Sequence, residues 1–296
     1  MAKNYYQRTR NLFDPASKLP FKISRSRLEN FIKCPRCFYM DRRLGVEPPG
    51  SPPYTLNSAV DTLLKKEFDD YRRKQKPHPL MTRYGVDAIP FAHPMIDEWR
   101  EVFKGVRCPH PPTNFIVFGA VDDLWVSPGG ELYVVDYKST SSREPITLDG
   151  VYKQAYKRQM EIYQWLLRGQ SLKVSDTGYF VFCNADKSRH SFDGRLEFGM
   201  EIIPYAGNSN WVEKIIYDAY QCLCKDDLPD FSPACEHCNY LQSAGHLKKP
   251  LSEEPAPPQS AGRTYRVDFD AAGGHKNIKR KTKPGANQGA EQGELF

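Results

Sequence analysis

The sequence predicts a mixed α/β domain, helices packed on a small sheet, and three observations lead there. Apolar residues recur at helical spacing through the first hundred positions, the period becomes strand-like at Asn114 around Ser127-Pro-Gly-Gly130, and strand and helix patterns alternate from there to Leu223. With 296 residues, 40% of them apolar and 26% charged, the chain can fill one core of ordinary polarity, which excludes small disulfide scaffolds and fibrous repeats. No apolar run approaches the ~18 residues that a membrane-spanning helix needs, and the charged start MAKNYYQRTRN has no apolar segment behind it. A cytoplasmic protein is therefore expected, and in that reducing compartment its eight cysteines read as free thiols or metal ligands. The net charge of +6 permits a polyanionic partner without requiring one.

Ser26-Arg-Leu-Glu29 has the pattern of a capping box that opens a short helix, with Leu28, Phe31 and Ile32 on one side, stopped at Cys34-Pro35. After the Pro48–Pro53 cluster a second helix is expected, capped by Asn57 or Ser58 and carrying Val60, Leu63, Leu64, Phe68 and Tyr71 on its apolar face. Met95, Ile96, Trp99 and Phe103 predict a third. Phe115–Val126 and Glu131–Lys138 then read as two β-rich runs joined by the glycine turn, a hairpin. A helix over about Leu148–Leu167 follows, then strands at Thr177–Cys183 and Leu196–Ile203 and a helix at Trp211–Leu223. Residues 1–245 hold all of these patterns. The segment 246–296 is poor in aliphatics and rich in Pro, Gly, Ala, Gln and Lys, and predicts a disordered basic tail.

The hairpin carries the chemistry. Asp122 stands near the end of one apolar strand and Asp136 near the end of its partner. A three-residue turn at Pro128–Gly130 sets them opposite each other with Cβ atoms ~5 Å apart, and a two-residue turn shifts the pairing by one. Two carboxylates that close on an apolar sheet repel each other unless a cation lies between them, which points to a divalent metal ion. Lys138, two residues past Asp136 on the strand, shares its face and can steady a phosphate or orient a water. Metal-assisted hydrolysis of a phosphodiester suits this set and needs no Ser, His or Cys nucleophile. Asp123 faces away on the same strand and reads as a surface carboxylate.

Gly119-Ala-Val-Asp122, the strand ending Val134-Val-Asp136-Tyr-Lys138, and Gln159-Met-Glu-Ile-Tyr163 on the next helix stand in an order that resembles the RecB-type branch of the PD-(D/E)XK nucleases. The resemblance extends to Ile23–Glu29, to Cys34-Pro-Arg-Cys37 and to the cysteine pair near residue 238, nearly all of 1–245. It implies a restriction-endonuclease-like core in which Asp122 and Asp136 ligate Mg²⁺ or Mn²⁺, with the Tyr137 carbonyl as a third ligand. Lys138 would assist the water or the phosphate, and Gln159 and Tyr163 would contact DNA or support Lys138. The family usually has a metal-binding histidine where this chain has Asp61, in Asn57-Ser-Ala-Val-Asp61, and aspartate suits a hard cation as well.

Cys34-Pro-Arg-Cys37 and Cys235-Glu-His-Cys238 each supply two thiolates at the spacing of half a tetrahedral site. Together they predict one structural four-cysteine clamp that closes a loop of about two hundred residues. Zn²⁺ accepts any pairing of such knuckles. The resemblance points instead to the iron–sulfur subgroup, similar to CRISPR-associated and AddB-like exonucleases, where one N-terminal and three C-terminal cysteines hold a 4Fe–4S cluster. The division here is two and two, so cluster and zinc both stand as expectations. Cys108, Cys183, Cys222 and Cys224 read as packing residues.

Five basic residues between Lys276 and Lys283 can lie along phosphates, and the last five residues, Gln292-Gly-Glu-Leu295-Phe296, resemble the peptide that docks into the bacterial sliding clamp. The expected protein is a divalent-metal-dependent DNA nuclease, a single-strand- or end-directed exonuclease of repair, recombination, replication or defence. The alternative is a catalytically impaired nuclease-fold DNA-binding or clamp-associated adaptor protein.

Overall fold

Proline and glycine cut the chain into short elements. The structure is a computed structural model and describes residues 7–50 and 52–246. In chain order these residues form β1 (Phe21–Ser24), α1 (Arg25–Lys33), α2 (Pro35–Arg42), α3 (Thr55–Lys74), α4 (Pro79–Arg83), β2 (Ile89–Pro90), α5 (Ile96–Arg100), β3 (Val106–Pro109), β4 (Phe115–Gly119), β5 (Asp123–Val126), β6 (Leu132–Thr140), α6 (Gln154–Arg168), β7 (Thr177–Ala185), β8 (Phe198–Ala206), α7 (Val212–Cys224) and α8 (Glu236–His246). No helix among them is long and apolar enough to cross a membrane. The predicted tail, with Gln292, Leu295 and Phe296, lies outside the described residues.

The strands make two mixed sheets, β2-β5-β6-β7-β8 and β1-β4-β3. In the larger sheet β6 runs parallel to β7 and the other neighbours are antiparallel. Its near-continuous apolar sequence is what a strand covered on both faces requires. Leu132 and Val134 face α1, α6 and α7, whereas Val135 and Tyr137 face α3 and α4. Val134 and Val135 are fully buried on opposite faces, each worth about 1.5–3 kcal/mol. By the same alternation Asp136 and Lys138 project toward α6.

The hairpin has the register that a three-residue turn demands: Asp123 pairs with Val135, Val126 with Leu132, and Gly130 takes the left-handed φ of 74° that closes the turn. The run Phe115–Val126 differs from expectation. It breaks at Ala120–Asp122 into β4 and β5, which belong to different sheets, because the Val121 N–H leaves the ladder to bond the Trp99 carbonyl of α5 at 3.1 Å. The capping box is not formed either. Ser24 occupies the N-cap position, Ser26 pairs with its hydroxyl at 2.9 Å, and Glu29 is drawn across to Arg158 of α6 at 2.7 Å. Helix α3 begins at Thr55, ahead of the expected Asn57 or Ser58, and turns Leu63 to solvent. The third helix is only α5, which leaves Phe103 exposed beyond its end. Gly150, at φ 101°, redirects the chain so that a 3-10 turn, Val151–Lys153, precedes α6.

Candidate active site

Asp122 sits in the gap where the chain passes from one sheet to the other. Its carboxylate accepts the Tyr137 N–H at 2.9 Å and its main-chain carbonyl accepts Arg100 Nε at 3.0 Å, so side chain and backbone are both fixed. Asp136 has no exposed surface; its Oδ1 accepts Gln159 Nε2 at 2.7 Å and its Oδ2 meets the Lys138 ammonium. Gln159 also reaches the Tyr163 hydroxyl, one helical turn on, at 3.3 Å. Gly119 is needed for this packing: a Cβ there would lie 2.7 Å from the Tyr163 ring. The two strands and α6 thus bring Asp122, Asp136, Lys138, Gln159 and Tyr163 together.

Burial pushes the Asp136 carboxyl up; Lys138 opposes this, nearby Asp122 adds to it, and the balance stands at about 7. For Lys138 burial works downward, but Asp136 and Asp122 outweigh it and hold the ammonium above the usual lysine range. Asp136 Oδ2 is buried and faces the Lys138 ammonium, with the Asp122 carboxyl close by. A buried carboxylate oxygen whose partner is an ammonium group, next to a second carboxylate, is a donor set that fits a hard divalent cation.

Asp61 lies on α3, and its partner is a residue that the sequence reading passed over. Lys65 Nζ sits 2.8 Å from Asp61 Oδ2 and 3.6 Å from Asp122 Oδ1, joining the two carboxylates. The i,i+4 spacing of Asp61 and Lys65 was the signal available for it.

Asp123 is not a surface carboxylate: it is completely buried. Arg72 reaches it at 2.5 Å, Arg100 at 2.9 Å and the Tyr137 hydroxyl at 2.7 Å, and Asp69 holds both guanidinium groups from the other side. Because Arg100 also fixes the Asp122 backbone, and Tyr137 its carboxylate, this network sets the position of Asp122 from behind the sheet. Asp123→Ala leaves two buried guanidinium groups to share Asp69 alone and should cost about 3 kcal/mol in urea denaturation; a loss below about 1 kcal/mol would show that the network is dispensable.

At the other end of α1, the Sγ atoms of Cys34, Cys37, Cys235 and Cys238 all lie within 4.8 Å of one another. Three pairs are at 3.8, 3.5 and 3.4 Å. Four thiolates at Zn–S distances of about 2.3 Å around one tetrahedral ion stand roughly 3.8 Å apart, so the cluster fits a single ion. A 4Fe–4S cluster puts each thiolate on its own iron at a separate corner, which demands a wider spread. Burial opposes ionisation of Cys34, but N–H groups of Cys37 and Ser232 and the neighbouring thiols bring it down to about 7. Cys238 is pushed up to about 11, mainly by burial. Cys108, Cys183 and Cys222 are buried away from this cluster, as packing residues should be.

Comparison with known proteins agrees with the geometry. The family model described as the PD-(D/E)XK nuclease superfamily matches residues 22–243. No curated protein matches the chain. The matched stretch runs from β1 into α8 and so takes in the acidic hairpin, the Gln159–Tyr163 helix and both cysteine pairs; the chain belongs to the PD-(D/E)XK nuclease superfamily.

Proposed function

We propose that the protein is a divalent-metal-dependent deoxyribonuclease that degrades single strands from DNA ends, in repair, recombination, replication or defence. The observation that carries this reading is Asp136, a fully buried carboxylate in contact with the Lys138 ammonium and set beside Asp122. Asp122, Asp136, the Tyr137 carbonyl and Asp61 would hold Mg²⁺ or Mn²⁺, which supplies Lewis acidity for phosphodiester hydrolysis. Gln159 holds one Asp136 oxygen in place, and Lys138 keeps a positive charge where a phosphate arrives. With Asp136 ionised, Asp61, Asp122 and Asp136 carry three negative charges against two on Lys65 and Lys138; a divalent ion would favour that ionised form and turn the excess positive, as an anionic substrate requires. Incubation of the purified protein with Mn²⁺ and an end-labelled single strand tests the reading; loss of full-length strand supports it, and an intact strand refutes it.

The Asp61–Lys65 pair favours a second reading, a DNA-binding module or adaptor that has lost catalysis, since a lysine that never leaves Asp122 keeps the cation out. Lys65→Met separates the two. A working nuclease binds Mn²⁺ in calorimetry already as wild type, and the variant binds it about tenfold tighter, the size of effect that one neighbouring charge has on a carboxylate. Binding by the variant alone is the signature of the impaired module.

In the cysteine clamp the sulfur spacing supports Zn²⁺ over a 4Fe–4S cluster. For the sliding clamp, deletion of Leu295 and Phe296 should abolish capture in a pull-down, and unchanged capture rules that partner contact out.

A further inference from the structure

Beside the catalytic lysine, α6 and the turn before it carry cations that have aromatic faces for neighbours and no carboxylate. The Tyr156 ring has two ammonium groups near it, Lys138 at 4.9 Å from its centroid and Lys153 at 5.2 Å. Lys138 has Asp136 as its counter-ion. Lys153 has none: it also lies 5.0 Å from the centre of the Phe182 ring, and among the described residues it makes no ion pair and no side-chain hydrogen bond. One turn on, Lys157 stands 5.6 Å from the Tyr205 ring and is likewise unpaired among the described residues. Glu161, a turn beyond Lys157 and the obvious partner, is engaged elsewhere by the Tyr205 hydroxyl and Trp211 Nε1, both at 2.6 Å, and by the Asn208 N–H at 3.1 Å. Ahead of these lysines, Val151 and Tyr152 project from the 3-10 turn with 86% and 91% of their surface exposed.

Two like charges on one ring, only one of them neutralised, leave a place for an anion. Cation–aromatic contact offsets little of that repulsion, about 0.5–1 kcal/mol at an exposed site. An exposed tyrosine at the edge of a lysine row is how proteins hold nucleic acid whose bases are unpaired, phosphates on the ammonium groups and a base on the ring. We propose that Lys153 and Lys157 bind phosphates of single-stranded DNA next to the scissile one, and that Tyr152 stacks on a base of the same strand. Lys138 and Lys153, each about 5 Å from one centroid, are then no more than about 10 Å apart, close enough to serve neighbouring nucleotides. The proposal rests on the nuclease reading for its substrate, and its test separates the two.

The Asp136→Asn background prevents turnover while fluorescence anisotropy follows a labelled single-stranded oligonucleotide across a salt series. Each phosphate contact contributes about 0.7 to the slope of log K against log salt, so Lys153→Ala with Lys157→Ala should flatten that slope by about 1.4. Tyr152→Ala should weaken single-strand binding at least fivefold, roughly the lower end of what a stacked base contributes, and leave a blunt duplex of the same length unaffected. All three side chains are outside the core, and an unchanged thermal midpoint for each variant confirms folding. An unchanged slope, equal losses on duplex and single strand, or no single-strand binding by the parent protein each overturns the proposal. Wild type that binds with the expected slope yet cleaves nothing refutes the nuclease and leaves the strip standing; wild type that cleaves while the variants bind normally refutes the strip alone.

Discussion

Asp136→Ala should reduce Mn²⁺-dependent cleavage of a single strand by at least ~100-fold, the loss that removal of one preorganised electrostatic group brings. The reason is positional. Asp136 is fully buried between Lys138 and Gln159, so no water or neighbouring side chain replaces its oxygens. Asp136→Asn keeps the shape and the acceptor for Gln159 but removes the charge, and a comparable loss there assigns the effect to charge rather than to collapse. Stability in chelator provides a second readout with a defined sign. The folded-state pKa of Asp136 lies above its ordinary value of 3.8, at about 7, so its contribution favours the fold fully below about pH 4 and is lost as pH rises through 7. Between those limits the Asn variant should lose less stability than wild type in parallel denaturant titrations. Equal cleavage by wild type and both variants would assign the activity to a contaminant.

The parts of this site that rest on local geometry were legible in the sequence. The hairpin and its two acidic ends were readable, with the register open between a two- and a three-residue turn until the pairing of Val126 with Leu132 selected the latter, and helical periodicity put Gln159 and Tyr163 on one face. What escaped depends on contacts between distant segments. The break at Ala120–Asp122 exists because Val121 bonds Trp99, and Asp123 is buried because Arg72 and Arg100, 51 and 23 residues away in sequence, converge on it. A strand pattern reports which way Asp123 points but not what waits there. Glu29 shows the same limit: its spacing from Ser26 fits a capping box, yet Arg158 takes it. The cysteine pairing was readable because C-x-x-C spacing is itself half of a coordination geometry. The choice between a cluster and a single ion was not, since it depends on how close residues some two hundred apart approach.

That approach predicts the other large effect. Serine at Cys235 and Cys238 together should free the segment from Lys225 to His246 and lower the unfolding free energy by several kcal/mol. Along α8 the only buried side chain among residues 236–245 is Cys238, and Tyr240 and Leu241 are turned to solvent, so no apolar face holds the helix down. What remains includes Arg36, which bonds the Pro229 carbonyl at 2.8 Å and lies 4.9 Å from the Phe231 ring centre, the Tyr39 hydroxyl, which bonds the Lys225 carbonyl at 2.9 Å, and two long ion contacts at 3.9 Å, Arg36 with Asp230 and Arg43 with Asp226, whose carboxylates are exposed. Joining Cys34 to Cys238 across 204 positions restrains the unfolded chain by about 5 kcal/mol on a loop-closure estimate, more than a few hydrogen bonds and exposed ion contacts contribute. Burial opposes ionisation of Cys34, but N–H groups of Cys37 and Ser232 and the neighbouring thiols outweigh it and hold the thiol below its ordinary range, which favours the thiolate that a metal needs. The purified protein should be colourless with a single zinc per chain, and a brown preparation would instead identify an iron–sulfur cluster. Extended chelation should expose the Lys225–His246 segment to hydrogen exchange and to protease while β6 and β7 stay protected, followed by an earlier global transition. Protection of that segment unchanged by chelator and by the double serine variant would mean that the four thiols meet without a metal and hold nothing together.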